Sequence, residues 1–223
     1  MKDLPEDAPE WILVAPLPAR SRGGKLVRYP LVNDARTLQW FVDYGALDLH
    51  TWASRVDKPD RPDWAIFDLD PRGGDVAEAA LVLREALDAL SLAGYPRTSG
   101  QGGMHVLVPL ARVHEPEDVR AFVRLVAGAV DRAHPDLGVS IDAKMNGRGQ
   151  QFVSAYSARP ATSCVCTPLT WDEVTSPLPE FTTVDVLARV KRFGDVHAGV
   201  LRGGQRLKRA LEAVATKAPR IRE

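Results

Sequence analysis

The stretch Trp64-Ala65-Ile66-Phe67-Asp68-Leu69-Asp70-Pro71 constrains this chain more than any other, because an apolar run closes on two acids one residue apart and is then stopped by proline. Such a run reads as a buried strand. Side chains alternate along a strand, so Asp68 and Asp70 share a face, about 6.5 Å apart at Cα, while Phe67 and Leu69 point into the opposite layer. Two ionised carboxylates held this closely repel each other and require a compensating cation. Magnesium or manganese suits them, since hard divalent ions prefer carboxylate oxygen. The plain alternative is a pair of solvated acids at a strand end.

The 223 residues, 45% of them hydrophobic, suffice for one sizeable domain or two small ones and exclude general disorder. No apolar run approaches the roughly 20 residues of a membrane span, and Met1-Lys2-Asp3-Leu4-Pro5 lacks the apolar core of a signal peptide, so a soluble cytoplasmic protein is expected, with no membrane partner. Cys164 and Cys166 are too close in sequence for an unstrained bridge and are expected as buried thiols. A formal net charge of zero argues against a strong non-specific grip on nucleic acid, but it hides an asymmetry. Residues 189–223 carry ten Lys or Arg against three acids, which leaves residues 1–188 at minus seven. A basic helical tail over residues 197–223 could dock on a polyanion or simply be solvated.

Along the chain, Trp11-Ile12-Leu13-Val14 followed by the basic loop Arg20 to Lys25 reads as an edge hairpin. Asn33 is expected to cap a helix with Leu38, Phe41 and Val42 on one side, followed by a short strand Ala46–His50 that leaves His50 on the face of Asp48. After the acidic strand, Asp75 and Glu78 open a helix whose stripe Val76, Ala80, Leu83, Leu87 and Leu90 runs until Gly94. A strand near Tyr95 then enters the turn Thr98-Ser99-Gly100-Gln101-Gly102-Gly103-Met104-His105, and a second strand leaves it. Glycines there let the backbone approach a ligand, with amides expected to face anionic oxygens. A helix begins near Pro116 with Val119, Phe122, Val123, Val126 and Val130 on one face and leads to the strand Gly138–Asp142, a third acid closing an apolar run. A polar turn through Asn146, one strand from Phe152 to Pro160 and a capping box at Thr170 to Glu173 precede basic helical pieces.

Acids at strand ends, a glycine-rich turn ending in histidine, and an arginine beyond the third acid, in this order, fit phosphoryl or nucleotidyl transfer by two metals about 3.5–4 Å apart. At these residues the chain resembles the polymerase domain of bacterial non-homologous end-joining DNA ligases, within the archaeo-eukaryotic primase superfamily. The likeness rests on Tyr29 to Asp34, the segment ending in His50, Phe67 to Pro71, Thr98 to Gly103 with His105, Ile141-Asp142, Asn146, Tyr156 to Arg159, and Pro168 to Trp171. It implies an α+β fold, a primase-type core with a central mixed or antiparallel sheet flanked by helices, forming one domain over residues 1–223. It also implies manganese- or magnesium-dependent addition of nucleotides, often ribonucleotides, to DNA ends from nucleoside triphosphates, beside a separate ligase or DNA-end-binding protein. Metal binding and catalysis fall to Asp68, Asp70 and Asp142. Triphosphate contacts fall to Ser99, His105 and Arg159, with His50 near the incoming nucleotide and Asn146 among the substrate-binding residues.

The departures carry consequences. The likeness begins at about Pro9, well inside the family pattern, so the basic and aromatic residues that hold a DNA end are expected to be lacking. Gly102 stands where the family has lysine and Met145 where it has glutamine. Each charge-assisted hydrogen bond lost is worth roughly 1.5–3 kcal/mol, so weakened triphosphate affinity is expected. A non-catalytic nucleic-acid-binding or scaffold module of the same fold is the competing reading. An aspartate phosphatase built on Asp68 and Asp70 is a third, but Pro71-Arg72 and the lone Gly194-Asp195 do not supply the further residues it needs.

Overall fold

A computed structural model describes residues 4–18 and 23–207 of the chain. It divides into two compact units, Met1–Leu49 and His50–Glu223. Arg20 to Arg22 of the basic loop, and the tail beyond Leu207, lie outside the described residues.

In the first unit, β1 (Val14–Pro18) and β2 (Leu26–Pro30) form an antiparallel hairpin, as expected, but its first strand starts at Val14 and not at Trp11. The helix α1 (Ala35–Asp43) starts one residue later than expected, because Asp34 and not Asn33 accepts the Thr37 amide at 2.7 Å. It buries Thr37 and Phe41, one turn apart, and leaves Leu38 and Val42 exposed. The strand expected from Ala46 does not form there. Gly45 adopts φ +90° and the amides of Gly45 and Ala46 return to Val42 and Phe41, so these residues close the helix instead.

The second unit carries β3 (His50–Trp52), β4 (Trp64–Pro71), α2 (Val76–Ala89), β5 (Tyr95–Thr98), β6 (Met104–Pro109), α3 (Pro116–Ala133), β7 (Val139–Asp142), β8 (Gln151–Val153), β9 (Ala158–Arg159), β10 (Cys164–Val165) and α4 (Thr183–Phe193). Four strands form one antiparallel sheet in the order β5-β6-β4-β7, while β3 pairs with β8 and β9 with β10. The fold is α+β, as expected.

Alternation along the strands decides which residues meet the helices. Ala65, Phe67 and Leu69 of β4 and Val106 and Val108 of β6 join the buried stripes of α2 and α3, with Phe67 and Phe122 edge to face at 6.0 Å. The other face carries Ile66 and Leu107 in a smaller cluster with Phe152, Ala53 and Val200. Asp68, Asp70 and His105 belong to that second face by the same alternation.

Two boundaries differ from expectation for backbone reasons. Helix α2 ends at Ala89 and not at Gly94, because Ser91 takes the left-handed position at φ 56° and the amides of Ser91 and Leu92 return to Asp88 and Leu87. The single strand expected from Phe152 to Pro160 is split into β8 and β9 by Tyr156 at φ 64°, whose hydroxyl donates to Asp195 at 2.6 Å. Cys164 and Cys166 are buried thiols, as expected. No helix among the described residues is long and apolar enough to cross a membrane.

Candidate active site

Register builds the site. Arg97 lies opposite His105, His105 opposite Asp68, and Asp68 opposite Asp142, so one row of four side chains crosses β5, β6, β4 and β7. Directly opposed residues of antiparallel strands share a face with Cα atoms about 4.5–5.5 Å apart. Asp70 lies two residues beyond Asp68 on the same face, opposite Ser140. The acids read from two distant stretches of sequence are therefore neighbours at one end of the sheet.

Each acid meets a different environment. Asp68 accepts from His105 Nε2 at 3.2 Å. Asp142 accepts the Lys144 amide at 2.7 Å and pairs with its ammonium at 2.9 Å. Burial pushes the Asp142 carboxyl up, but the hydrogen bonds and charge of Lys144 outweigh it and hold the group below the usual carboxylate range. For Asp70 the balance goes the other way: burial, then the charge of Asp68, raise its carboxyl. Among the described residues no three acid, histidine or cysteine side chains surround a common point as ion ligands. The reason is visible in the partners, since Asp142 is turned to Lys144 and Asp68 to His105.

His105 is 5% exposed, and both ring nitrogens are engaged. Nδ1 faces Arg97, with Nε at 3.3 Å and Nη2 at 3.2 Å. A guanidinium offers only donors and an ionised carboxylate only acceptors, so Nδ1 must present its lone pair and Nε2 its proton. Burial lowers the pKa of the ring, consistent with a neutral imidazole. The sequence reading missed Arg97. Its place between Pro96 and Thr98 carried no signal, although a strand register setting it opposite His105 would have revealed it.

The glycine-rich turn is pressed against the acid end of β4. A Cβ on Gly103 would stand 2.6 Å from the Leu69 carbonyl oxygen and 3.3 Å from Asp70 Oδ1, so only glycine fits. The expectation that the amides of the turn lie open to an anion needs correction. Ser99 Oγ accepts from the Gln101 amide at 3.2 Å and the Gly103 amide at 3.1 Å, so the turn satisfies these donors itself. Arg159, on β9, donates to the Gln101 side chain at the outer edge of the turn.

Two further expected site residues stand outside this row. Asn146 is 2% exposed, and its Oδ1 accepts the Ile66 amide at 2.8 Å while Nδ2 donates to the carbonyls of Ile66 at 2.7 Å and Ala143 at 3.1 Å. Its amide imitates a peptide unit and continues the sheet beside β4 beyond the end of β7. His50 is exposed on the separate β3-β8 ladder, opposite Val153.

Residues 1–197 match the family model of the LigD primase-polymerase domain. The multifunctional non-homologous end joining protein LigD of Mycolicibacterium smegmatis is 29% identical over 217 residues, covering 88% of this chain and 28% of that protein. The bifunctional non-homologous end joining protein LigD of Bacillus subtilis is 30% identical over 182 residues, covering 73% and 30%. The chain thus spans less than a third of the length of these relatives. Among solved structures, the polymerase domain of Mycobacterium tuberculosis ligase D in complex with DNA superposes with a TM-score of 0.83 at 28% identity, covering 92% of this chain and 79% of that one.

Proposed function

Since the chain belongs to the LigD primase-polymerase domain family, we propose that it is a primase-polymerase-type nucleotidyltransferase that adds nucleotides to DNA ends in non-homologous end joining. The observation that carries the reading is the direct opposition of Asp68 and Asp142 across β4 and β7, with Asp70 on the same face. An all-oxygen donor set on adjacent strands suits a hard divalent ion, manganese or magnesium. Asp70, whose carboxyl is raised by burial and its neighbour's charge, is the acid with charge left to neutralise.

Asp68, Asp70 and Asp142 would hold the ion. When bound, it would supply Lewis acidity toward a 3′-hydroxyl and neutralise the charge of a pyrophosphate leaving group. Three side chains would form the triphosphate contacts. His105 presents a proton on Nε2 that Asp68 accepts at rest. Arg159 presents a guanidinium held by Gln101, and Ser99 fixes the turn between them. Nucleoside triphosphates and DNA ends are the substrates on this reading, a ligase or end-binding protein the partner, and the bacterial cytoplasm the compartment.

The test is extension of a radiolabelled primer with each ribo- and deoxyribonucleotide and manganese, in wild type beside the Asp68→Ala, Asp70→Ala double variant. Extension by wild type and none by the variant is expected. A second reading, a non-catalytic module of an end-joining assembly, is favoured by one observation: Ser99 already occupies two turn amides, and Gly102 brings no side chain. A folded wild type that extends no primer with any nucleotide would decide for it.

A further inference from the structure

We infer that Arg97 is a positioning residue for the proposed transfer site: it holds the His105 ring in one orientation, with Nε2 aimed at the acids. The inference rests on that functional reading for its purpose, but its geometry stands apart from it. Arg97 is 2% exposed and makes no ion pair with any carboxylate among the described residues. Burying a guanidinium without such a partner costs several kcal/mol in general, and an apolar residue of similar volume would fill the position at less expense. What the guanidinium obtains in return is specific. Nη2 donates to the Val153 carbonyl at 2.6 Å, and the group lies 5.0 Å from the centroid of the Phe152 ring. The same nitrogen and Nε face His105 Nδ1.

Three neighbours therefore fix the imidazole. Arg97 stands at Nδ1, Asp68 at Nε2, and Phe152 lies edge to face with the ring at 6.4 Å. Without Arg97 the lone pair of Nδ1 would have no donor, and Asp68 alone would hold the polar edge of the ring, from the Nε2 side. The donor-only guanidinium at Nδ1 and the acceptor-only carboxylate at Nε2 dictate the same tautomer, so the ring is held from both sides. Asp68 and Arg97 are the charged groups in contact with His105, on the strands either side of it, and Arg159 adds a further positive charge nearby.

The test uses protein with 15N-labelled histidine, read by long-range proton–nitrogen correlation at one fixed pH. Wild type should show His105 as a single neutral Nε2–H tautomer. Arg97→Met should fold, with Nε2 still protonated and the Nδ1 signal moving to that of a lone pair without a donor. Arg97→Lys keeps a donor-only cation and should keep the wild-type pattern. In primer extension, Arg97→Met should raise the nucleotide KM about tenfold with a smaller change in kcat, as one well-placed hydrogen bond is lost. Arg97→Lys should restore most of it. A folded Arg97→Met whose Nδ1 signal stays at its wild-type position would overturn the inference, as would an Arg97→Lys whose Nδ1 signal leaves it. The nitrogen spectrum reads out whether or not wild type extends primers, so failure of the functional reading is seen separately.

Discussion

A divalent cation should raise the melting temperature of this protein, and Asp70→Asn should abolish the rise. Asp68 is partnered by His105 and Asp142 by Lys144, whereas Asp70 makes no hydrogen bond or ion pair with a described residue. Partial burial and the charge of Asp68 raise the carboxyl of Asp70 above its ordinary value of 3.8, Arg72 and His105 offsetting only part of this, although the residue is exposed at the end of β4. A cation held at one hundred times its Kd stabilises the fold by about 2.7 kcal/mol. For a chain of this size each kcal/mol moves the melting temperature by about 2–4 °C, giving a rise of about 5–11 °C. Asp70→Asn keeps the shape and removes the charge. A carboxyl raised on folding favours the fold fully below its unfolded value, and that favour is lost as pH rises through the folded one. At pH 7 Asp70 is therefore a net cost, and the asparagine variant without metal should melt no lower than wild type, with any advantage fading toward pH 4. Scanning fluorimetry over a manganese titration reads both effects. No shift in wild type at millimolar manganese, or an equal shift in Asp70→Asn, would refute the reasoning.

Gly102→Lys restores the family's charge but at a backbone with φ +83°, where open space around the Cβ does not help. The left-handed conformation costs about 1–2 kcal/mol, which offsets the roughly 1.4 kcal/mol of a tenfold gain in nucleotide affinity. The variant should melt lower than wild type, and its nucleotide KM should fall by less than tenfold. Asn146→Ala leaves the Ile66 amide and carbonyl without their side-chain partners and should lose about 2–6 kcal/mol in urea denaturation, from two buried unsatisfied groups. A loss confined to nucleotide affinity would instead make Asn146 a substrate contact. Phe122→Ala removes a fully buried ring packed on Phe67 and should cost about 3–5 kcal/mol, seen as a lower urea midpoint with unchanged slope.

Alternation made much of the fold legible. The period of two in Trp64–Pro71 placed Phe67 and Leu69 against helices and both aspartates on the other face, as observed. The stripes of α2 and α3 were equally plain, since Leu83, Leu87, Phe122 and Val126 keep helical spacing and are buried. Register was not legible. No local pattern says that Asp142 stands opposite Asp68 and not opposite Asp70, because strand pairing is decided by the whole sheet. Arg97 escaped notice for the same reason. Helix ends failed where a closing motif used an unexpected residue, Ser91 in place of Gly94, because the motif needs only one residue to accept positive φ. The turn amides were misjudged because Ser99 reads as a ligand contact in sequence, while in space it is the nearest acceptor for its own loop.

The row across the sheet also explains how closely placed, partly exposed acids can stand at the end of a folded sheet. Arg97 and Lys144 stand at its two ends with Asp68 and Asp142 between them, so the formal charges of the row cancel and only Asp70 is left over. The two ends are not equivalent. Arg97 is buried, and moving it would open a charged cavity beneath His105. The Lys144 side chain is 76% exposed, and an ion pair so open to water contributes only about 0–1 kcal/mol. Asp68 is therefore held through His105 by a buried partner, while Asp142 is held by the Lys144 amide and by an ammonium that water or another cation can replace at little cost. On the proposed reading, Asp68 would set the geometry for a divalent cation and Asp142 would exchange the ammonium for it.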